Sequence, residues 1–165
     1  ERVMPGKVWK YGDNVDTDLL APGVYMKGPI TELAKHCLEA IDLKFAPNVQ
    51  PGDVIVAGRN FGIGSSREQA AEVLVLLGVK AVIARSFGGI FYRNAFNLGL
   101  LALVADAEAD LEAGHELDID PATGTITSMT TGVQIAAEPV PEPLRRIVAA
   151  GGLVPYLEQK LEKHA

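Results

Sequence analysis

Three short apolar runs constrain this chain more than any other feature. Val54 to Ala57 (VIVA), Lys80 to Ala84 (KAVIA) and Leu100 to Val104 (LLALV) are each too short for a helix and too uniformly apolar for a half-exposed strand. Runs of this kind, bounded by turn residues, read as strands buried on both faces. Between them lie segments of helical character. Ser65 to Leu77 is expected to form a helix that stops at Gly78, and Phe91 to Leu98 one that stops at Gly99. The resulting β-loop-α-β-α-β order predicts a buried sheet with flanking helices.

The flanks follow the same logic. Lys7 to Lys10 alternates polar and apolar residues and reads as a strand, and Thr31 to Ala40 as a helix with Thr31 at its N-cap. The last third changes character. Glu116 to Ile119, Thr125 to Thr127 and Val133 to Ala136 read as short strands parted by Pro121, Gly124 and Gly132, an added antiparallel portion. Pro143 to Ala150 and Leu153 to Lys163 read as helices separated by Gly151-Gly152. The 165 residues are expected to make one α/β domain spanning the chain, 1–165.

Composition narrows the function. A net charge of −6 argues against a nucleic-acid partner, since phosphate binding needs a basic face. The longest apolar stretches fall far short of the ~20 residues that span a bilayer, so no membrane is expected. The N-terminus lacks a signal-peptide layout. The single cysteine, Cys37, forms no internal disulfide and fits a reducing cytoplasm, the expected location. His36, His115 and His164 show no metal-ligand spacing.

The most informative segment is Asn60-Phe61-Gly62-Ile63-Gly64-Ser65-Ser66-Arg67-Glu68, at a strand-to-helix junction. Such a junction turns backbone N–H groups and the positive helix end toward a ligand. It lacks the lysine of a phosphate-cradling Walker loop and the third glycine of a dinucleotide fingerprint. Ser65-x-x-Glu68 also has the form of a capping box, in which Ser65 only caps. Arg67 has the wrong sign for a first helical turn, and bidentate binding of a carboxylate is one reason for it to stand there. A free-standing anion-binding module that uses the glycine loop at a helix N-terminus is the rival reading from another class.

This segment resembles the swivelling-domain signature of the aconitases and isopropylmalate isomerases. Other landmarks are similar to that family in order: Tyr11 to Asp18 (YGDNVDTD), Glu32 to Glu39 (ELAKHCLE) and Ser86 to Ala95 (SFGGIFYRNA). The resemblance covers about the whole chain. It implies the β/β/α swivelling fold, and a hydro-lyase that reversibly dehydrates a hydroxy-di- or tricarboxylate. Interconversion of 2- and 3-isopropylmalate, in leucine biosynthesis, is the expected reaction; homoaconitate-type and 2,3-dimethylmalate-type substrates are the alternatives. The family's [4Fe–4S] cluster is held by three cysteines and acts as Lewis acid on the leaving hydroxyl. With one cysteine here, the resemblance implies a cluster carried by a separate large subunit, none bound by this chain, and assembly as a heterodimer or heterotetramer.

The resemblance also assigns roles. Ser65 is the general base that removes the proton alpha to a carboxylate, Arg67 grips a substrate carboxylate beside Gly64, and Ser66 assists by hydrogen bonding. Asp18 corresponds to an active-site acid that orients its neighbours; its residue type alone reads as a turn or cap. The loop Tyr25-Met26-Lys27-Gly28 corresponds to the one that selects the substrate's variable group, with basic Lys27 facing that choice. Ile63, Gln69 and Gly89 depart from the commonest bacterial pattern.

Overall fold

The computed structural model describes residues 6–163. His164 and the extreme N-terminus lie outside the described residues. Among the described residues, seven strands form one sheet in the order β4-β3-β2-β1-β5-β6-β7. They are β1 (Gly6–Lys10), β2 (Val54–Val56), β3 (Ala81–Ala84), β4 (Leu101–Val104), β5 (Glu116–Asp120), β6 (Thr125–Ser128) and β7 (Gln134–Ala136). The first four run parallel, in a register that aligns Val8 with Val54, Val54 with Ala81 and Ala81 with Leu101. From β1 outward the other way, pairing is antiparallel through β5, β6 and β7.

Among the described residues are seven α-helices, five between strands and two after the last one: α1 (Thr17–Leu20), α2 (Ile30–Ala34), α3 (Phe45–Asn48), α4 (Gln69–Leu76), α5 (Gly89–Asn97), α6 (Glu142–Ala150) and α7 (Leu153–Lys163). The order β1-β2-β3-β4 advances in one direction, so successive crossovers put their helices on one face. Accordingly α1 and α2 pack on α4, α4 on α5, and α5 on α6. Phe45, Phe61, Phe96, Leu74 and Ile83 are fully buried in the core. Cys37 is sealed there too, and burial pushes its thiol pKa up. No helix among the described residues is long and apolar enough to cross a membrane.

Two expectations need correction, and one element was not expected. The helix read over Thr31 to Ala40 stops at Ala34, and Pro29, not Thr31, holds its N-cap position. Beyond it the chain proceeds in turns because Leu38 adopts a left-handed conformation (φ +61°) and gives its N–H to the Leu19 carbonyl at 2.9 Å. That conformation costs about 1–2 kcal/mol, offset by the complete burial of the Leu38 side chain. The helix read from Ser65 begins only at Gln69, so the Ser65/Glu68 capping box does not form. Residues 65–67 turn outside the helix, with Arg67 N–H on the Ser65 carbonyl at 2.8 Å, and the Arg67 side chain reaches partners after β1, described below; Glu68 is already αR. Finally, α3 has no counterpart in the sequence reading. Its Phe45 is an anchor that Trp9 and Tyr11 meet edge-on, with centroids 5.3 and 6.1 Å away.

Candidate active site

The site begins with three turns that leave the C-terminal ends of β1, β2 and β3. In open parallel sheets this end carries ligands, because the chain must leave each strand there to cross over. The turns lock together through their backbones. Gly58 donates to Gly12 (3.1 Å), Asn14 to Arg59 (2.8 Å), Gly62 to Val15 (2.7 Å) and Thr17 to Ile63 (2.8 Å). On the other side Phe61 donates to the Ser86 carbonyl (3.0 Å) and Gly88 to that of Phe61 (2.8 Å). Asn14 and Asn60 both adopt left-handed backbones and join side chain to side chain at 3.0 Å. Asparagine is among the few residues that tolerate this conformation.

Gly62 explains how the turns come so close. Its φ is +77°, and a Cβ there would stand 2.2 Å from Cγ of Phe91. Only glycine lets the Phe91 ring lie against the loop. That ring also stacks parallel to Phe87, and Phe61 meets both edge-on. The two long signatures, distant in sequence, thus share one aromatic base.

Above that base lies an open cleft of about 190 Å³, lined by Thr17, Gly64, Ser65, Arg67, Gly89 and Phe91 among others. Ser65 is exposed and projects from a loop, not from a helix cap. Ser66 is exposed beside it but outside the lining. Gly64 faces Thr17, whose Oγ1 would be 3.0 Å from a Cβ at that position.

The Arg67 guanidinium is held from one side. Its Nη1 donates to Asp18 Oδ1 and to the Ala21 carbonyl, both at 2.9 Å. Among the described residues, Nη2 and Nε make no hydrogen bond, so donors remain for a carboxylate. Asp18 Oδ1 also accepts the Gly23 N–H at 3.0 Å. The Arg67 bond, then the Gly23 bond, hold the Asp18 carboxyl below the usual aspartate range. Asp18 is therefore a positioner of Arg67 here, while the capping role belongs to Asp16, whose Oδ1 accepts Leu19 N–H at 2.8 Å.

Lys27 is exposed on the segment after the 3₁₀ turn Gly23–Tyr25; it does not line the cleft, and its side chain bonds to none of the described residues. Arg93 and Asn94 sit on α5 without side-chain hydrogen bonds among the described residues. Sequence reasoning missed Thr17, which lines the cleft while 4% exposed. Its place inside the Asp16-Thr17-Asp18 run was the available signal.

The donor set of this chain does not fit an iron–sulfur cluster. Its one cysteine is inside the core, and no three His, Cys, Asp or Glu side chains converge among the described residues.

A mixed sheet with a glycine-built cleft at its parallel end, Arg67 held from one side and exposed Ser65 beside it, defines an α/β domain that carries its cleft on the parallel half. The profile of the family described as "Aconitase C-terminal domain" matches residues 21–108, and the chain belongs to that family. Within it, the chain is similar to proteins named as small subunits. It is 46% identical over 158 residues to the "3-isopropylmalate dehydratase small subunit 2" of Archaeoglobus fulgidus, covering 94% of this chain and 95% of that one. It is 47% identical over 155 residues to the "Methanogen homoaconitase small subunit" of Methanothermobacter thermautotrophicus, covering 93% and 90%. The solved structure of a 3-isopropylmalate dehydratase (leuD) from Methanocaldococcus jannaschii superposes with a TM-score of 0.90 at 44% identity, covering 98% of this chain and 96% of that one. The swivelling α/β fold expected from the sequence is therefore the observed one.

Proposed function

We propose that the chain is the small, substrate-gripping subunit of a two-chain hydro-lyase that interconverts 2- and 3-isopropylmalate, a step of leucine biosynthesis. The observation that carries this is the meeting of Ser65 and Arg67 at one open cleft. The full-length likeness to proteins bearing that name supports it.

Arg67 presents its remaining N–H donors to a substrate carboxylate, and Asp18 and the Ala21 carbonyl fix the guanidinium so that little ordering is needed on binding. Ser65 takes the proton from the carbon alpha to that carboxylate. A hydroxyl is a poor base, and it becomes serviceable only where fixed positive charge favours its anionic form. Ser66 adds a hydrogen bond, and Gly64 lets the acid approach the backbone. Loss of that proton with the hydroxyl on the adjacent carbon yields an unsaturated diacid and water. Readdition of water in the opposite sense gives the isomer.

A cleft of about 190 Å³ is smaller than a typical complete ligand pocket of roughly 300–1,000 Å³. We read it as half of a site, closed by a large subunit that carries a [4Fe–4S] cluster, the Lewis acid for the departing hydroxyl. The pair assembles as a heterodimer or heterotetramer in the cytoplasm, this chain contributing a single domain over 1–165. In the reconstituted pair, Ser65→Ala lowers kcat by about 10²–10⁴-fold while the chain still folds and binds its partner; near-normal kcat removes the base assignment.

One observation favours a second reading. Lys27 is cationic on the loop expected to meet the variable group, and a homoaconitase small subunit is as similar as the isopropylmalate relatives. Assay of isopropylmalate and homoaconitate side by side decides it. Preference for the tricarboxylate that disappears in Lys27→Ala overturns the first choice.

A further inference from the structure

The loop that carries Lys27 is shaped by short-range turns, Tyr25 N–H on the Pro22 carbonyl (3.0 Å), Met26 on Gly23 (3.2 Å) and Gly28 on Tyr25 (3.3 Å), which do not tie it to the rest of the domain. Val24 is 84% exposed and Tyr25 38% exposed, so burial does not fix their positions. Met26 packs against the core at one point, and Gly23 is tied to Asp18 at the loop's start. A further contact reaches it from another segment. The Tyr25 ring lies flat on the His36 ring, centroids 3.6 Å apart and planes within 5°.

His36 is itself fixed. Its Nδ1 is 2.8 Å from Glu39 Oε2, and its backbone N–H donates to the Leu33 carbonyl at 3.0 Å. The turn that brings Glu39 to the edge of the ring contains the left-handed Leu38. A chain of contacts therefore runs from buried Leu33 through the His36 backbone and ring to Tyr25, two residues before Lys27, with the Glu39 contact an addition to it.

We propose that His36 is a positioning residue for substrate selection: stacked on Tyr25, it holds the 23–28 loop in place and so aims Lys27 at the substrate's variable group. The stack, rather than the imidazole's charge, transmits the effect. This rests on the reading that the loop meets that group.

Two measurements test it. In the isolated full chain, trypsin cleavage after Lys27 reports loop release without any assay of activity, because cleavage follows the population of the opened state. His36→Ala is expected to speed it about fivefold, the factor an aromatic pair of ordinary strength corresponds to. Cleavage after Lys44, on a separate exposed segment, stays unchanged. His36→Phe, which keeps a ring and loses the imidazole nitrogens, retains the wild-type rate. In the reconstituted enzyme, His36→Ala shifts the kcat/KM ratio of isopropylmalate to homoaconitate about fivefold, through KM with kcat little changed, and His36→Phe restores it. Unchanged cleavage at Lys27 overturns the anchor, as does a Phe variant that behaves like Ala. Faster cleavage with an unmoved substrate ratio overturns the role in selection. If the wild-type pair turns over neither acid, the functional reading falls and takes the selection role with it, while the anchor is still judged by cleavage.

Discussion

The two halves of the sheet are built from different residues and do different work. In the parallel half, β2 and β3 are buried at every position, and each strand ends in a turn that reaches the cleft or braces it. In the antiparallel half, β5 and β7 expose alternate residues, and none of their residues or connections lines the cleft. Parallel pairing forces a crossover after every strand, so several turns converge at one end of the sheet. Hairpin pairing sends each turn to opposite ends and gathers nothing. The parallel half also has an internal polarity. At its other end, Asp53 is 6% exposed and accepts from Lys7 N (3.0 Å), Trp9 Nε1 (2.9 Å) and Gln50 N (2.9 Å). That carboxylate ties strand starts together far from any cleft.

Paired substitutions can break this contrast. The largest effect is expected from two serines. Ser65→Ala should lower kcat of the reconstituted pair by about 10²–10⁴-fold, the range for a lost general base, with the urea midpoint unmoved. Ser128→Ala, in β6, removes the acceptor for Thr131 N–H and should leave kcat intact while lowering stability by about 1 kcal/mol. A Ser65→Ala enzyme that still turns over would dissolve the functional difference between the halves.

Two glycines sharpen the structural side. Gly62 and Gly132 share positive φ, +77° and +81°, but a Cβ at Gly132 meets nothing within 4 Å. Gly62→Ala should cost about 3 kcal/mol or more, strain plus collision with Phe91, and Gly132→Ala only about 1. Equal losses in urea unfolding would mean that the cleft's close packing is not what holds Gly62. Asp53→Ala comes next. It orphans three donors and should cost about 2–3 kcal/mol, with KM and kcat of the folded protein unchanged.

The smallest effect is acid-dependent. The Asp18 carboxyl is lowered in the folded state, so its contribution is complete above the ordinary aspartate range and is lost as pH falls through the folded value. The stability gap between wild type and Asp18→Asn should close below about pH 4. Because Asp18 is exposed, the gap itself is small. A gap that persists in acid would assign Asp18 a role other than holding Arg67.

The sequence by itself determined the strands of both halves, the final two helices and the cleft-forming signature. Those rest on apolar periodicity, turn chemistry and glycine placement, which act over a few residues. Only the tertiary structure decided where the helices after β1 and β2 stop and start. Leu38 leaves its helix for a carbonyl at Leu19, and Arg67 leaves its own for Asp18 and Ala21. Each such bond joins segments that local propensity cannot see, and each outweighs the one or two helical hydrogen bonds it replaces. The same holds for the Tyr25–His36 stack and for the burial of Asp53 among three donors: a contact between distant residues exists only once the sheet has brought them together.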